Sequence, residues 1–316
     1  MVRTLTRSHI PPVVFMSVFF GTNLVASRFC LGQFHPLGLV AIRLSLAAIL
    51  TAALSLIRHG RMPQGATIWR DGAVVGVFAT AIPMTAFVSA LQYQSAGVTA
   101  LCISLTPIAA MTFAHFLLPD DRLTPRKSLG ALISVSGVAL LLAGGETGLG
   151  EFHWEGFALI AIGVVSNGFG IVHIRRRLTS ERSLEIAAVR LLVGAAVAAL
   201  VSAFAGGFDL SRVKWSGLAA VAYGVVFGTI VAFLLYTFVS VRFGPTKATQ
   251  QEYLVPVVAT IVGALLLGEQ VSALMVFGMV AVIAGIVTAT TGRRGNVAFG
   301  SQQLHGSPRP SAPRER

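Results

Sequence analysis

The sequence predicts an all-α polytopic membrane protein, ten transmembrane helices arranged as two inverted five-helix repeats. Three observations carry that prediction. Apolar residues fill 54% of the 316 positions and charged residues only 11%, against roughly 25% charged in soluble domains; mean hydropathy is +0.78. Apolar runs of about 20 residues, the length a helix needs to cross a bilayer core, recur along the chain. Finally, one stretch is written twice. "LCISLTPIAAMTFAHFLLPD" (Leu101–Asp120) and "QQEYLVPVVATIVGALLLGE" (Gln250–Glu269) share a seventh-place proline, a tenth-place alanine and a closing acid.

The runs, in order, are Ile10–Phe29, Pro36–Ile57, Gly72–Gln92, Gly97–Leu118 and Ser128–Gly145, then Trp154–Ile174, Ser183–Phe204, Trp215–Val239, Thr246–Leu267 and Val271–Thr291. The first is too long for a signal peptide and is interrupted by Asn23; "SRFC" lacks the small-residue spacing of a lipoprotein cleavage site. The second holds "AIRLSLAA" (Ala41–Ala48), which the seventh answers with "AVRLLVGAA" (Ala188–Ala196), aligning Arg43 with Arg190. Trp69 before the third run is echoed by Trp215 before the eighth. The fourth and ninth carry Pro107 and Pro256. The fifth spaces Gly130 and Gly137 seven apart, as the tenth spaces Gly278 and Gly285. Offsets among these echoes stay close, from 146 (Trp69 to Trp215) to 149 (Pro107 to Pro256), so residues 8–146 and 151–292 read as two copies of one unit. Five is an odd number of crossings, so the second copy enters the membrane inverted. Alternating-access transporters are built on that plan. Residues 293–316, rich in Gly, Ser, Pro and Arg, read as a disordered basic cytoplasmic tail.

A formal net charge of +12 would suggest a nucleic-acid partner in a soluble protein. Here its placement sets orientation instead. With the N-terminus inside, 19 of the 24 basic residues fall on the inner side: Arg3, Arg7, Arg58, Arg61, Arg70, Arg122, Arg126, Lys127, Arg175–Arg177, Arg182, Arg242, Lys247, Arg293, Arg294 and three in the tail. Arg28, Arg212 and Lys214 fall outside, and Arg43 and Arg190 lie within helices. The positive-inside rule then puts both termini in the cytoplasm, in the cytoplasmic (inner) membrane. Cys30 and Cys102 both fall near the outer face, where a disulfide is geometrically conceivable; two small apolar side chains is the favoured reading.

"FFGTNLVASRF" in helix 1, "AIRLSLAA" in helix 2 and "LVPVVATIVGALLLGE" running toward helix 10 resemble the drug/metabolite transporter superfamily, EamA-type. The resemblance covers residues 8–292, with Phe20 where the family has Trp, and with Asn167 in "VVSNGFGIVHIRRR" matching Asn23. It implies ten helices in two repeats and a secondary transporter of a small metabolite, amino acid or drug-like molecule, working outward by alternating access.

Enzymatic strings fail on inspection. "HFLLPD" places His115 five residues before Asp120, as in membrane acyltransferases, but its repeat reads "ALLLGE", with Ala264 in place of the histidine. "GGETGLGE" has P-loop glycine spacing without the following Lys and Ser/Thr, and "NGFGIVH" is one glycine short of a dinucleotide fingerprint. No Cys/His ligand cluster, HExxH or nucleophile elbow occurs. The expectation is a non-enzyme without metal or cofactor, drawing on a proton gradient. A lipid-modifying membrane enzyme and a non-transporting sensor remain the competing classes.

Polar groups at membrane depth are costly and mark function. Thr22 and Asn23 beside Gly21 offer a polar kink for substrate or a helix–helix hydrogen bond. Arg28 is a further helix 1 candidate. Arg43 and Arg190 can hold an anionic group or serve structure by snorkelling. Pro107 and Pro256 each free a carbonyl one turn earlier, which places helices 4 and 9 centrally, around the pathway. The glycines of helices 5 and 10 are close-packing faces or a homodimer contact. Glu252 has Ile103 as its repeat partner, so the architecture does not require an acid there. It is a candidate to bind a substrate ammonium or the coupling proton, or else a carboxylate at a wet inner mouth.

Overall fold

A computed structural model describes residues 10–60, 62–119, 122–178, 183–232, 235, 239 and 251–290, and within them every regular element is a helix. Asp120, Arg3, Arg7, Arg61, Arg182, Arg242, Lys247, residues 246–250 of the predicted ninth helix and the basic segment from Arg293 onward lie outside the described residues. Ten helical spans are described: α1 (Ile10–Cys30), α2 (Pro36–His59), α3 (Ala66–Ala90), α4 (Ala96–Leu117), α5 (Pro125–Ala143), α6 (Trp154–Arg177), α7 (Ser183–Phe204), α8 (Trp215–Val231), α9 (Gln251–Leu267) and α10 (Ala273–Thr290). Seven of them are long and apolar enough to cross a bilayer, and α8, α9 and α10 are shorter apolar helices. Phe204 is 89% exposed and Ile57 83%. Side chains that oily on an outer surface belong in lipid.

Three of the spans depart from regular helix. α3 begins six residues before the predicted Gly72, because hydropathy marks only the part in lipid and the polar turn "TIWRDG" continues the helix beyond it. Both α3 and α8 contain a π turn, at Val77–Ala81 and Val226–Val231. These are the same place in the two repeats. α4 is broken at Ser104–Leu105, and Pro107 sits in the first turn of its second segment, where a missing N–H costs nothing. Pro256, by contrast, stays inside a continuous α9.

Packing follows the repeat. α1 lies against α9 as α6 lies against α4; α3 lies against α6 as α8 lies against α1; α2 pairs with α7, and α5 with α10. Exchanging the repeats maps each contact onto another, as an inverted pair requires. We call the end carrying Ile10 and Thr290 the terminal end, and the opposite one the far end. α5 and α10 meet through their glycines: a methyl group at Gly137 would stand 2.9 Å from the Gly278 carbonyl oxygen, and one at Gly130 would stand 2.5 Å from that of Gly285. These glycines are spent inside one chain, and a homodimer needs another surface. Cys30 and Cys102 are buried free thiols.

The far end is tied across the repeats by polar contacts. Gln33 Oε1 accepts Lys214 N–H at 2.9 Å and Gln33 Nε2 donates to Ser216 Oγ at 3.2 Å. Ser95 N–H donates to the Thr147 carbonyl at 2.7 Å, and Gln270 N–H to that of Gly148 at 3.1 Å. Gly148 has φ +72° and lies against the Ser95 side chain. A Cβ is excluded there on both counts.

Candidate functional site

The polar residues of α1 gather where α1, α2 and α8 meet. Arg43 reaches from α2, buried to 4% exposure. It donates from Nη1 to Ser27 Oγ at 2.6 Å and from Nη2 to Asn23 Oδ1 at 2.9 Å. Its Nε has no partner and faces Gly224 of α8. Among the described residues no carboxylate pairs with it. A buried guanidinium held only by neutral oxygens pays a large desolvation cost. Gly224 and Gly228 of α8 lie against Asn23, so α8 approaches through positions that carry no side chain. At the adjoining positions, Thr22 Oγ1 and Tyr223 Oη share a hydrogen bond of 2.6 Å.

That hydroxyl pair opens on a groove of about 480 Å³ between α1, α8 and α9, lined by Thr22, Val25, Phe29, Ala220, Tyr223 and Val262 among others. A larger hollow of about 590 Å³ lies along α7 beside Leu200 and Phe204. Its lining is Val, Leu, Phe and Ala alone, and one helix face without polar groups suits a lipid chain. The smaller groove has the mixture a solute site needs, an apolar lining with a few placed polar groups.

The second cluster surrounds Glu252. Pro256 cannot donate to the carbonyl of residue 252, and Ser104, at the break in α4, turns its hydroxyl toward that freed oxygen at 3.4 Å while also bonding Ala100 O at 3.0 Å. The repeat solves the same problem: Pro107 frees the Ile103 carbonyl, and Thr106 Oγ1 donates to it at 2.7 Å. Each proline is thus matched by a hydroxyl. The side chain of Glu252 is half-buried, beside Gln251, whose backbone carbonyl lies 3.4 Å from Ser17 Oγ of α1. Glu252 therefore stands at the crossing of α1, α4 and α9, not at a fully open mouth.

At the far end, Glu269, the closing acid of the repeated stretch, is buried. Its two carboxylate oxygens accept the Ala96 N–H at 2.9 and 3.1 Å, capping α4. Burial raises its pKa above the usual carboxylate range, partly offset by the Ala96 N–H, the charge of Arg28 and the Gly97 N–H. Half-buried Arg28 thus answers to Glu269. Arg190 donates from Nε to Thr80 Oγ1 at 3.2 Å and from Nη2 to the Ala79 carbonyl at 3.4 Å, both in the π turn of α3. His115 Nδ1 accepts the Leu123 N–H at 3.3 Å.

Of the residues singled out from sequence, Thr22, Asn23 and Arg43 come together at the α1–α2–α8 junction. Glu252, Pro256 and the turn before Pro107 meet at the α4–α9 crossing. Asn167 stands half-buried on α6 and, among the described residues, shares no hydrogen bond with the Arg43 cluster. Sequence reasoning missed Ser27, Tyr223 and Ser104. A tyrosine inside an apolar run was a readable signal; the serines gave none, because serine is common on packed membrane helices.

The sequence profile of the EamA-like transporter family matches residues 10–143 and again residues 154–291. The chain belongs to the EamA-like transporter family. Among its relatives, the uncharacterized inner membrane transporter YedA of Escherichia coli K12 is 26% identical over 278 residues, covering 87% of this chain and 88% of YedA. A probable terminal-alkyne amino-acid exporter of Streptantibioticus cattleyicolor is 25% identical over 292 residues, 89% of this chain and 94% of the exporter. A solved crystal structure matches with TM-score 0.61 and 22% identity, over 90% of this chain and 98% of that one, which establishes a shared fold. As an EamA-like chain this is a membrane protein of two inverted repeats.

Proposed function

We propose that the protein is a secondary transporter that exports a small amphipathic metabolite, an amino acid or close analogue, by alternating access across the cytoplasmic membrane, with both termini in the cytoplasm. One observation carries the reading: Arg43, buried without an acid partner among the described residues, keeps an unbonded Nε against Gly224, the residue next to Tyr223, which lines the groove with Thr22. A guanidinium of that kind suits a carboxylate, and the apolar groove walls suit an uncharged side chain. Glu252, one crossing away, is the group for the substrate ammonium or the coupling proton. The named amino-acid exporter among the relatives supports the same class. The chain's partners are then its solute and the surrounding lipid, and no cofactor is needed.

The test is counterflow in proteoliposomes loaded in turn with leucine, phenylalanine, threonine and propargylglycine. At least one of them should exchange about tenfold faster than in protein-free vesicles, and Arg43→Ala should abolish that exchange. If none of the four exchanges, the amino-acid class is wrong; if the purified protein modifies a lipid without any gradient, the transporter reading is wrong.

A further inference from the structure

Near the terminal end, Asp71 of α3 and His173 of α6 face each other across the boundary between the repeats. His173 Nε2 lies 3.3 Å from Asp71 Oδ1, with side-chain exposures of 16% and 4%. The contact is out of line for a full hydrogen bond, which leaves Nε2 buried without one. Asp71 is about five residues into α3 and His173 four from the end of α6, so both lie within ~8 Å of the helix ends. Val75, four residues on from Asp71, packs with Leu178, Ile186 and Ile174, the neighbour of His173, and Phe169 packs on the imidazole at 6.0 Å, joined edge-on to Phe78 of α3 and Phe113 of α4. Here α6 meets α3 and α4 together.

We infer that the Asp71–His173 pair is a proton-binding latch that closes the terminal end of the pathway when the imidazole is protonated; this rests on the alternating-access reading above. An imidazolium facing a buried carboxylate is held by Coulomb attraction that a neutral ring lacks. Parting α6 from α3 then takes the imidazolium away from a buried carboxylate and leaves it only the largely exposed Arg70, which is the costly direction for a buried pair. Histidine is the side chain whose ordinary titration falls between about pH 5 and 8, which sets the pH range of the test.

The inverted repeat sharpens the argument. The counterpart of the α3–α6 contact is the α8–α1 contact at the far end, where Gly217 aligns with Asp71 by the Trp69–Trp215 echo and Phe29 aligns with His173 by the Asn23–Asn167 match. That end is closed by the Gln33 amide, the Ser216 hydroxyl and the Lys214 backbone N–H. None of these groups titrates near neutrality. The two counterpart contacts therefore differ in kind: an imidazole meets a carboxylate at the terminal end, and an amide, a hydroxyl and a backbone N–H meet at the far end.

The other charged groups on the elements packed here are accounted for. Arg70 Nη2 lies 3.5 Å from Asp71 Oδ1 but is largely exposed, and it stays with Asp71 on α3 when α6 parts. Arg190 of α7 is bonded into the π turn. Glu185 and Arg175 are half-buried, Arg176 and Arg177 are exposed, and His115 of α4 is engaged by Leu123. His115 is the other imidazole on these helices and provides the control.

The measurement is a spin-label distance across the latch, with Thr67→Cys on α3 and Arg176→Cys on α6, both exposed positions, in the full chain carrying Cys30→Ala and Cys102→Ala and held in lipid nanodiscs. Between about pH 8.5 and 5.5 the short-distance population should rise about threefold or more. H173Q and D71N should each remove that rise, and H115Q should keep it. A flat response without further substitution overturns the inference, as does a rise that survives in H173Q or is lost in H115Q. If D71N does not fold, H173Q decides. No substrate enters the experiment, so failure to find one bears on the transport reading alone.

Discussion

Glu252 and Glu269 show how two carboxylates on one stretch take different roles. Glu269 is fixed on the Ala96 N–H at the start of α4, while Glu252 stands half-buried at a helix crossing with no acid in the matching place of the other repeat. Glu252→Gln should fold normally, since shape and hydrogen bonding survive, yet lose about tenfold or more in net flux, or ~1.4 kcal/mol in the barrier. Glu252→Asp should retain part of the flux. Proteoliposome uptake at matched protein content checks both. For Glu269 the expected effect is on stability. Its pKa is raised in the folded state, so its contribution is fully present below the unfolded value and is lost as pH rises through the folded one. The thermal midpoint of the native protein should therefore fall relative to that of Glu269→Gln as pH is raised from about 4 to 8. A constant difference would mean that burial does not act on this group.

At the scale of helices, α4 and α9 solve one problem in two ways. Pro107 ends up in a first turn after a break, whereas Pro256 stays inside its helix and leaves a carbonyl to Ser104. The two should couple: Ser104→Ala is expected to cost about 1 kcal/mol with Pro256 present and markedly less with Pro256→Ala, where the backbone amide has returned. A double-mutant cycle on unfolding in detergent measures the coupling. Helix existence was legible from hydropathy because lipid demands it. The break in α4 and the two π turns were not legible, since a membrane helix loses little hydropathy when one hydrogen bond shifts by a residue. Likewise Asn23 was readable as a polar intrusion into an apolar run. Its partner Arg43 was readable only as a separate residue in another helix, because pairing is set by how α1 and α2 dock.

For the molecule as a whole, the family match falls twice along the chain, over residues 10–143 and 154–291. The cross-repeat contacts that close each end are beyond the reach of sequence, because Asp71 and His173 are far apart in the chain and unremarkable singly. Orientation is still open to measurement. In the background lacking Cys30 and Cys102, Leu210→Cys on the 205–214 loop, where Leu210 is 53% exposed, should react with an impermeant maleimide in intact cells. Ala66→Cys, exposed at the start of α3, should react only after permeabilisation. The reverse pattern would turn the molecule over and place the Asp71–His173 pair on the outer side.

The π turn of α3 carries one residue more than an α-helical turn would use. In a helix a surplus residue is stored less as length than as angle, about 100° of rotation between the segments on either side. The heading of Asp71 is therefore set by Val77–Ala81, well away from Asp71 itself, and Arg190 braces the turn that sets it. Deleting Val77 should leave α3 helical and spanning, yet swing the Ala66–Gly76 segment round so that Asp71 points away from α6. Cysteines placed at positions 71 and 173 should then cross-link readily in the otherwise intact chain and poorly in the deletion. A conformational change that tightened or relaxed that one turn would steer the terminal end as a dial does, without any helix having to slide.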